Sequence, residues 1–316
     1  MPKIPRVLSF AFALATLLLL LRAAPAACDP WLLAPGDHYS SIGGSYFSAD
    51  SYHEFDGGRH SLWNGGLHEE KSLYSYNEFG WTKGRTFVIG FPFQGVTRRA
   101  GSPAADGGRT ETGFGDLTVG IRFKIHDGPT ALSLEGDWNP PLGYNRNLSP
   151  RIGDGLQSAS GRLELGAPVA SIGFLELEGG YRTYLDKVKP TDQMLAGATL
   201  GFWFRRSLLI AGRYEGRFGK ESSDTTYRAL VETTPQGTTW PSSDAVPGTT
   251  NDRVTTHLAG PMLLYRIDDH LDLIAGSMHT ASAKNALHVD RFYVAVAVKQ
   301  TKLGHLRGLA GGTSSP

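Results

Sequence analysis

Three places in the chain gather residue types that can do chemistry. In TGFGDLTVGIRFKIHDG (Thr112–Gly128), Gly113, Gly115 and Gly120 with Asp116 have the look of a loop that cradles phosphate. Such a loop must leave a strand and open a helix, so that backbone N–H groups converge on the anion. Here the glycines lead instead into ten alternating residues and a tight His126-Asp127-Gly128 turn. In MHTASAKN (Met278–Asn285), His279 is a candidate base and Ser282 a candidate nucleophile. On a strand, positions three apart face opposite sides, which separates the two groups. Further up, His53, His60 and His68 lie with Glu54, Asp56, Glu69 and Glu70, but histidine spacings of 7 and 8 match no compact metal site. The expectation is therefore a non-enzyme with no catalytic residues, no cofactor and no metal.

The elements that would position these groups repeat with a period of two. FVIGFPF (Phe87–Phe93) puts Phe87, Ile89, Phe91 and Phe93 on one face, and RFYVAVAVK (Arg291–Lys299) does the same with Phe292, Val294, Val296 and Val298. Alternation of this kind is the signature of strands with one apolar face. About twelve such segments follow one another, at roughly 37–48, 69–78, 85–94, 114–125, 130–139, 160–170, 173–185, 193–205, 207–219, 253–266, 271–280 and 287–299. The first two and the eleventh have the most blurred alternation. Short gaps near 79–84, 126–129, 171–172, 205–207 and 267–270 alternate with longer polar ones near 49–68, 95–113, 140–159, 186–192, 220–252 and 281–286.

That rhythm is the one a transmembrane barrel imposes. Hydrocarbon offers a backbone no hydrogen bonds, so a sheet crosses it only when closed. Strands of ~9–11 residues then run up and down between tight turns on one side and long loops on the other. The fold expected is all-β: a closed antiparallel up-and-down transmembrane β-barrel of about 12 strands, with both ends of the chain on the turn side.

Composition and targeting agree. Lys3 and Arg6 precede the apolar run Val7–Leu21, and Ala24 and Ala26 follow at the spacing a signal peptidase reads. Residues 1–27 are expected to be a cleaved export signal, 28–300 the barrel and 301–316 a flexible tail. After the signal no apolar run approaches 18 residues, which excludes a helical membrane protein. Cys28, the only cysteine, rules out an internal disulfide. Acylation of Cys28 fits poorly, because Pro25 stands where the lipoprotein motif wants an aliphatic residue. A net charge of +1 with no basic run interleaved with aromatics speaks against nucleic acid. The partners expected are outer-membrane lipid, the barrel-assembly machinery and small hydrophobic or aromatic solutes, and the location is the outer membrane.

With the apolar face toward lipid, alternation places Asp116, Arg122, Lys124, Glu135, Asp137, Arg162, Glu164, Glu176, Glu178, Arg182, Arg213, Glu215 and Arg217 inside, seven acids and six bases. Near balance argues against a strongly charge-selective pore. Two readings stay open: a salt-bridge network that holds the barrel shut, and a narrow polar passage with opposite charges on its walls. Trp81, Trp138, Tyr144, Trp203, Phe204, Tyr214 and Phe218 fall near strand ends and are expected in the aromatic girdles. The Ser/Thr/Pro-rich stretch Glu221–Asp252, with Trp240, is expected to be a long outer loop.

The stretches SLYSYNEFGWTKGRTFVIGFPF (Ser72–Phe93), TGFGDLTVGIRFKI (Thr112–Ile125) and LSLEGDWNPPLGY (Leu132–Tyr144) carry a resemblance. They are similar to the early hairpin, the G-x-G-D strand and the Pro-Gly exit of the MetA-pathway of phenol degradation family, over about residues 70–300. The resemblance implies an outer-membrane barrel that moves hydrophobic or aromatic compounds, and it supplies no catalytic residues. The chain departs from many outer-membrane barrels by ending on a polar, Gly-rich tail rather than an aromatic. MHTASAKN is also similar to the His-x-Ser-Asn signature of lipid A deacylases, but its serine is one residue too far and Ala283 replaces Asn. Two function classes follow: a channel for small hydrophobic molecules, and a non-transporting barrel with a structural, adhesive or, less favoured, lipid-hydrolysing role.

Overall fold

The computed structural model describes residues 31–54, 56–62, 66–99, 109–143, 152, 156–170, 172–186, 192–219 and 254–300. The export segment with Cys28, the girdle candidate Tyr144, the long loop with Trp240 and the 301–316 tail lie outside the described residues. All regular structure among the described residues is strand: β1 (His38–His53), β2 (Arg59–Ser61), β3 (Leu67–Thr82), β4 (Arg85–Arg99), β5 (Arg109–Phe114), β6 (Thr118–His126), β7 (Ala131–Asn139), β8 (Ser158–Val169), β9 (Gly173–Tyr184), β10 (Gln193–Arg205), β11 (Leu208–Gly219), β12 (Thr255–Arg266), β13 (Leu271–Lys284) and β14 (Ala286–Gln300).

Each strand pairs with its neighbours in antiparallel register, and β14 returns to pair with β1, from Gln300 opposite His38 to Ala286 opposite His53. Twelve strands thus close into a barrel, with β2 and β5 as additions outside the ring. Closure removes the open edges that hydrocarbon could not satisfy. Every expected segment is a barrel strand. β1, β4 and β13 run several residues past their expected ends on the loop side, and β3 runs past its expected end on the turn side. The expected gap at 281–286 shrinks to Asn285 alone, whose φ of 50° is a conformation asparagine tolerates.

The expected single strand 114–125 is broken. β5 and β6 both pair with β4, but Gly115–Leu117 between them leaves the regular ladder. The neighbours explain the break. Gly115 donates to the carbonyl of Pro92 on one side, Leu117 to that of Pro140 on the other, and Asp116 bridges Pro141. Proline returns no N–H, so a ladder flanked by prolines on both edges cannot continue.

Pleating sorts side chains between lipid and interior. Phe123, Leu134, Trp138, Leu163, Leu177, Met194, Phe202, Ile210, Phe292, Val294 and Val296 face outward and are exposed, as a lipid-facing wall requires. A groove of about 1050 Å³ beside Gly136 is bordered by the outward Phe79, Trp81, Phe87 and Trp138 and also by Pro35, Gly36, Asp137 and Ser160. Inside, residues 31–37 lie against β3 and β4: Gly36 donates to the Gly80 carbonyl (2.7 Å), Gly80 to that of Asp37 (2.9 Å), and Leu33 to Thr86 Oγ1 (3.2 Å). Gly80 permits this approach, since a Cβ there would run into the Ala34 carbonyl. At the loop end, Leu62 packs on Phe47, Leu287 and Val289 in a small apolar cluster.

Candidate functional site: a two-sided barrel interior

The interior is built by register. Arg122 on β6 stands opposite Glu135 on β7, Glu135 opposite Arg162 on β8, and Glu164 opposite Glu178 on β9. Side chains that share a level on one face reach each other across a single strand. Arg122 is buried and sits at the centre of four acceptors. Its Nη1 reaches Glu78 at 3.1 Å, its Nη2 Glu135 at 2.5 Å, its Nε Glu164 at 3.0 Å, and Nη2 also the Tyr76 hydroxyl at 3.5 Å. Arg162 bridges Glu135 and Asp137, the latter at 2.7 Å. Ser133 donates to Glu164 (3.0 Å) and Tyr76 to Glu78 (2.7 Å), which gives these carboxylates second donors. Glu178 completes the wall at 4.0 Å from Arg162. Asp137 fills the space over Gly120, where a Cβ would collide with its carboxylate.

This is the expected network, but it is confined to one wall. β3 and β6–β9 bring five carboxylates (Glu78, Glu135, Asp137, Glu164, Glu178) around two guanidinium groups. Across the barrel, β11 and β14 face Arg213, Glu215, Arg217 and Arg291 inward, with Arg213 Nε 3.0 Å from Glu215. Acids outnumber bases in the first group and bases outnumber acids in the second, and the ion pairs of the first are of the kind the salt-bridge reading expects.

Not every expected residue joins. Lys124 lies at the turn end, where its Nζ donates to Asp127 at 2.7 Å. Asp116 sits in the strand break beside Pro141. Glu176 and Arg182 face inward by register, opposite Thr199 and Gln193. Trp203 is a correction: it pairs with the buried Leu209 on the inner face, and the Arg266 guanidinium stacks 4.6 Å above its ring, so it is no outer girdle residue. A bulge between Trp203 and Arg205 ends the regular register there. Trp81, Trp138 and Phe204 are exposed on the outside, as anchors should be.

Several interior groups escaped the sequence reading. Glu78 belongs to β3, whose inward series His68, Glu70, Ser72, Tyr74, Tyr76, Glu78 mixes polarity on both faces. Asp272, buried, takes Lys299 at 2.6 Å and Arg266 at 3.4 Å in a second cluster at the turn end. Within the second wall, on the two strands between β11 and β14, lies an unexpected apolar strip. Met262 and Leu264 of β12 stand opposite Ala211 and Leu209, and Ile274 and Met278 of β13 opposite Ala295 and Arg291, all on the inner face. The only signal for it was the near-absence of charge from both faces of β12, which hides which face is the inner one.

A model of the family described as "Putative MetA-pathway of phenol degradation" matches residues 43–295. No curated individual protein matches the chain. Among solved structures, a COG4313 outer membrane channel from Pseudomonas putida F1 superposes with a TM-score of 0.67 at 14% identity, over 88% of this chain and 100% of that one. The translocator domain of the autotransporter NalP from Neisseria meningitidis is more distant, at a TM-score of 0.46, 10% identity, and 93% and 95% coverage. The fold is thus that of an outer-membrane barrel, and with the family model spanning most of its length the chain belongs to the MetA-pathway of phenol degradation family.

Proposed function

We propose that the protein is an outer-membrane channel for small hydrophobic or aromatic molecules, with the inward-facing charges lining a narrow, charge-divided lumen. The observation that carries this reading is the strip of Met262, Leu264, Ile274 and Met278, which faces the interior from β12 and β13, between β11 and β14. A lumen meant only for ions or sugars gains nothing from thioether and aliphatic side chains, whereas an apolar solute loses contact with water along them. The buried Arg122 cluster favours a rigid wall over a wide bore. Membership of the family and the fold of the Pseudomonas putida F1 channel support transport over a purely structural or adhesive role.

In this reading residues 1–27 direct export and are removed, 28–300 form the barrel inserted by the assembly machinery, and 301–316 trail into the periplasm with the tight turns. The wall binds outer-membrane lipid, and the chain needs no cofactor for passage. The test is initial uptake of radiolabelled toluene and of glucose by cells that do or do not express the protein. Toluene uptake should rise several-fold and glucose uptake should not, and the rise should vanish in a Met262→Asp/Ile274→Asp double variant. Equal toluene uptake with and without the protein would favour the non-transporting reading.

A further inference from the structure

The outer surface of β13 and β14 carries an arrangement that transport does not use. Ser277 and His279 are two apart on β13, so they share its outward face, and Asp290 stands directly opposite His279 on β14. His279 Nδ1 lies 2.7 Å from Asp290 Oδ1, and its Nε2 lies 3.0 Å from Ser277 Oγ. The edge of the Phe292 ring holds the imidazole, 5.8 Å between centroids at 81°. A carboxylate on Nδ1 and a hydroxyl on Nε2 is the connectivity of a nucleophile, its base and the group that orients the base, which is recognised by geometry and not by sequence order. The sequence had offered Ser282 to His279 and failed. The partner the fold supplies lies on the other side of the histidine.

Its depth in the wall says what it would meet. From the turn at 267–270, His279 is about eight residues up β13, roughly 20 Å along the barrel axis for a strand tilted near 40°. On β14 the outward series Val298, Val296, Val294, Phe292 is apolar and gives way to Asp290 and then His288. A charged pair is costly on the lipid face at mid-membrane and cheap near the interface. The site therefore stands where hydrocarbon gives way to headgroups on the loop side, the level at which acyl chains are joined to lipid headgroups through esters.

We infer that Ser277, His279 and Asp290 form a hydrolytic site for acyl esters of outer-leaflet lipid. His279 Nε2 takes the proton of Ser277 Oγ as the oxygen attacks the ester carbonyl, while Asp290 steadies the imidazolium. The bond to the alcohol breaks, His279 returns the proton to the leaving oxygen, and an acyl-Ser277 ester remains. Water, deprotonated by His279, attacks that ester; the fatty acid leaves and Ser277 regains its proton. Ester and water become acid and alcohol, with no other reactant. The described contacts position nucleophile and base but no donor for the oxyanion, so turnover should be slow by a factor of about 10²–10³ relative to sites that have one.

The test uses the full chain in detergent micelles, treated with a biotinylated fluorophosphonate and digested for mass spectrometry. The adduct should sit on Ser277, be absent from Ser277→Ala, and form at least 100-fold more slowly in His279→Ala. Band shifts on unheated gels confirm that each variant is a folded barrel. An unlabelled wild type, or equal labelling in His279→Ala, would overturn the site. Fatty-acid release is then followed from lipopolysaccharide micelles and from phosphatidylethanolamine vesicles. Release from one of them, lost in Ser277→Ala, identifies the lipid, and release from neither overturns the lipid substrate. Toluene uptake should be the same in Ser277→Ala as in the wild type, which separates this site from the channel.

Discussion

Replacing Arg122 with methionine tests the ionic wall at its centre. Both Arg122 and Glu135 are almost wholly buried, with side-chain exposures of 2% and 1%. At an effective dielectric near 20, one contact at 3 Å is worth about 5 kcal/mol before desolvation is subtracted. Removing one member of a buried pair costs about 3–5 kcal/mol, because the carboxylates stay behind without their counter-charge. Each abandoned carboxylate keeps another donor here: Arg162 for Glu135, Ser133 for Glu164 and Tyr76 for Glu78. The loss should therefore fall at the low end, about 3 kcal/mol, a shift of roughly 100-fold in the folded-to-unfolded ratio. Urea titration of the barrel in phospholipid vesicles, read from the folded band on unheated gels, measures it. A cycle with Glu135→Gln should show coupling above about 1 kcal/mol, since the two groups are in contact. An Arg122→Met variant within about 1 kcal/mol of wild type, or a cycle without coupling, would refute the claim that this cluster braces the wall.

Other consequences are as open to measurement. Arg213→Gln with Arg291→Gln removes two cations from the wall opposite the carboxylates, so reversal potentials across planar bilayers in a KCl gradient should move toward cation preference; an unchanged potential would mean these groups do not line the ion path. Gly80→Val drives a side chain into the Ala34 carbonyl and should release residues 31–37 to added protease, while unchanged protection would show that the segment is held elsewhere. In the turn, the hydrogen bond from Lys124 holds the Asp127 carboxyl below its ordinary range. That contribution is present above the unfolded-chain pKa and disappears as pH falls through the lower folded value. Because Asp127 is largely exposed and screened, Asp127→Asn should leave the urea midpoint at pH 7 unmoved, and a clear drop would show that this turn matters more than its exposure allows.

The strand plan was legible because lipid demands it in one dimension. A two-residue period, segment lengths and the alternation of short and long gaps are local properties, and they located all twelve barrel strands. Where the reading went astray, the cause lay in a neighbouring strand. The break at Gly115–Leu117 depends on Pro92 and on Pro140 and Pro141, and no inspection of Thr112–Gly128 alone reveals that its ladder partners lack N–H groups. Trp203 is the exception: alternation between the outward Phe202 and Phe204 already turns it inward, and only the Arg266 stacked on its ring is a tertiary fact.

Charge parity told which residues of β6–β11 face inward, since only one face of those strands could bear charge beside lipid. It could not tell which inward groups meet. Register alone sets Arg122 among Glu78, Glu135 and Glu164, brings Lys299 to Asp272, and leaves Lys124 at the turn with Asp127. The apolar strip of Met262, Leu264, Ile274 and Met278 was hidden by the same logic, because a strand with two apolar faces carries no parity. Ser277, His279 and Asp290 show the limit most sharply. The 2-residue spacing of serine and histidine was in plain view, but the carboxylate that gives it meaning lies eleven residues on, placed opposite His279 only when β13 and β14 pair around Asn285.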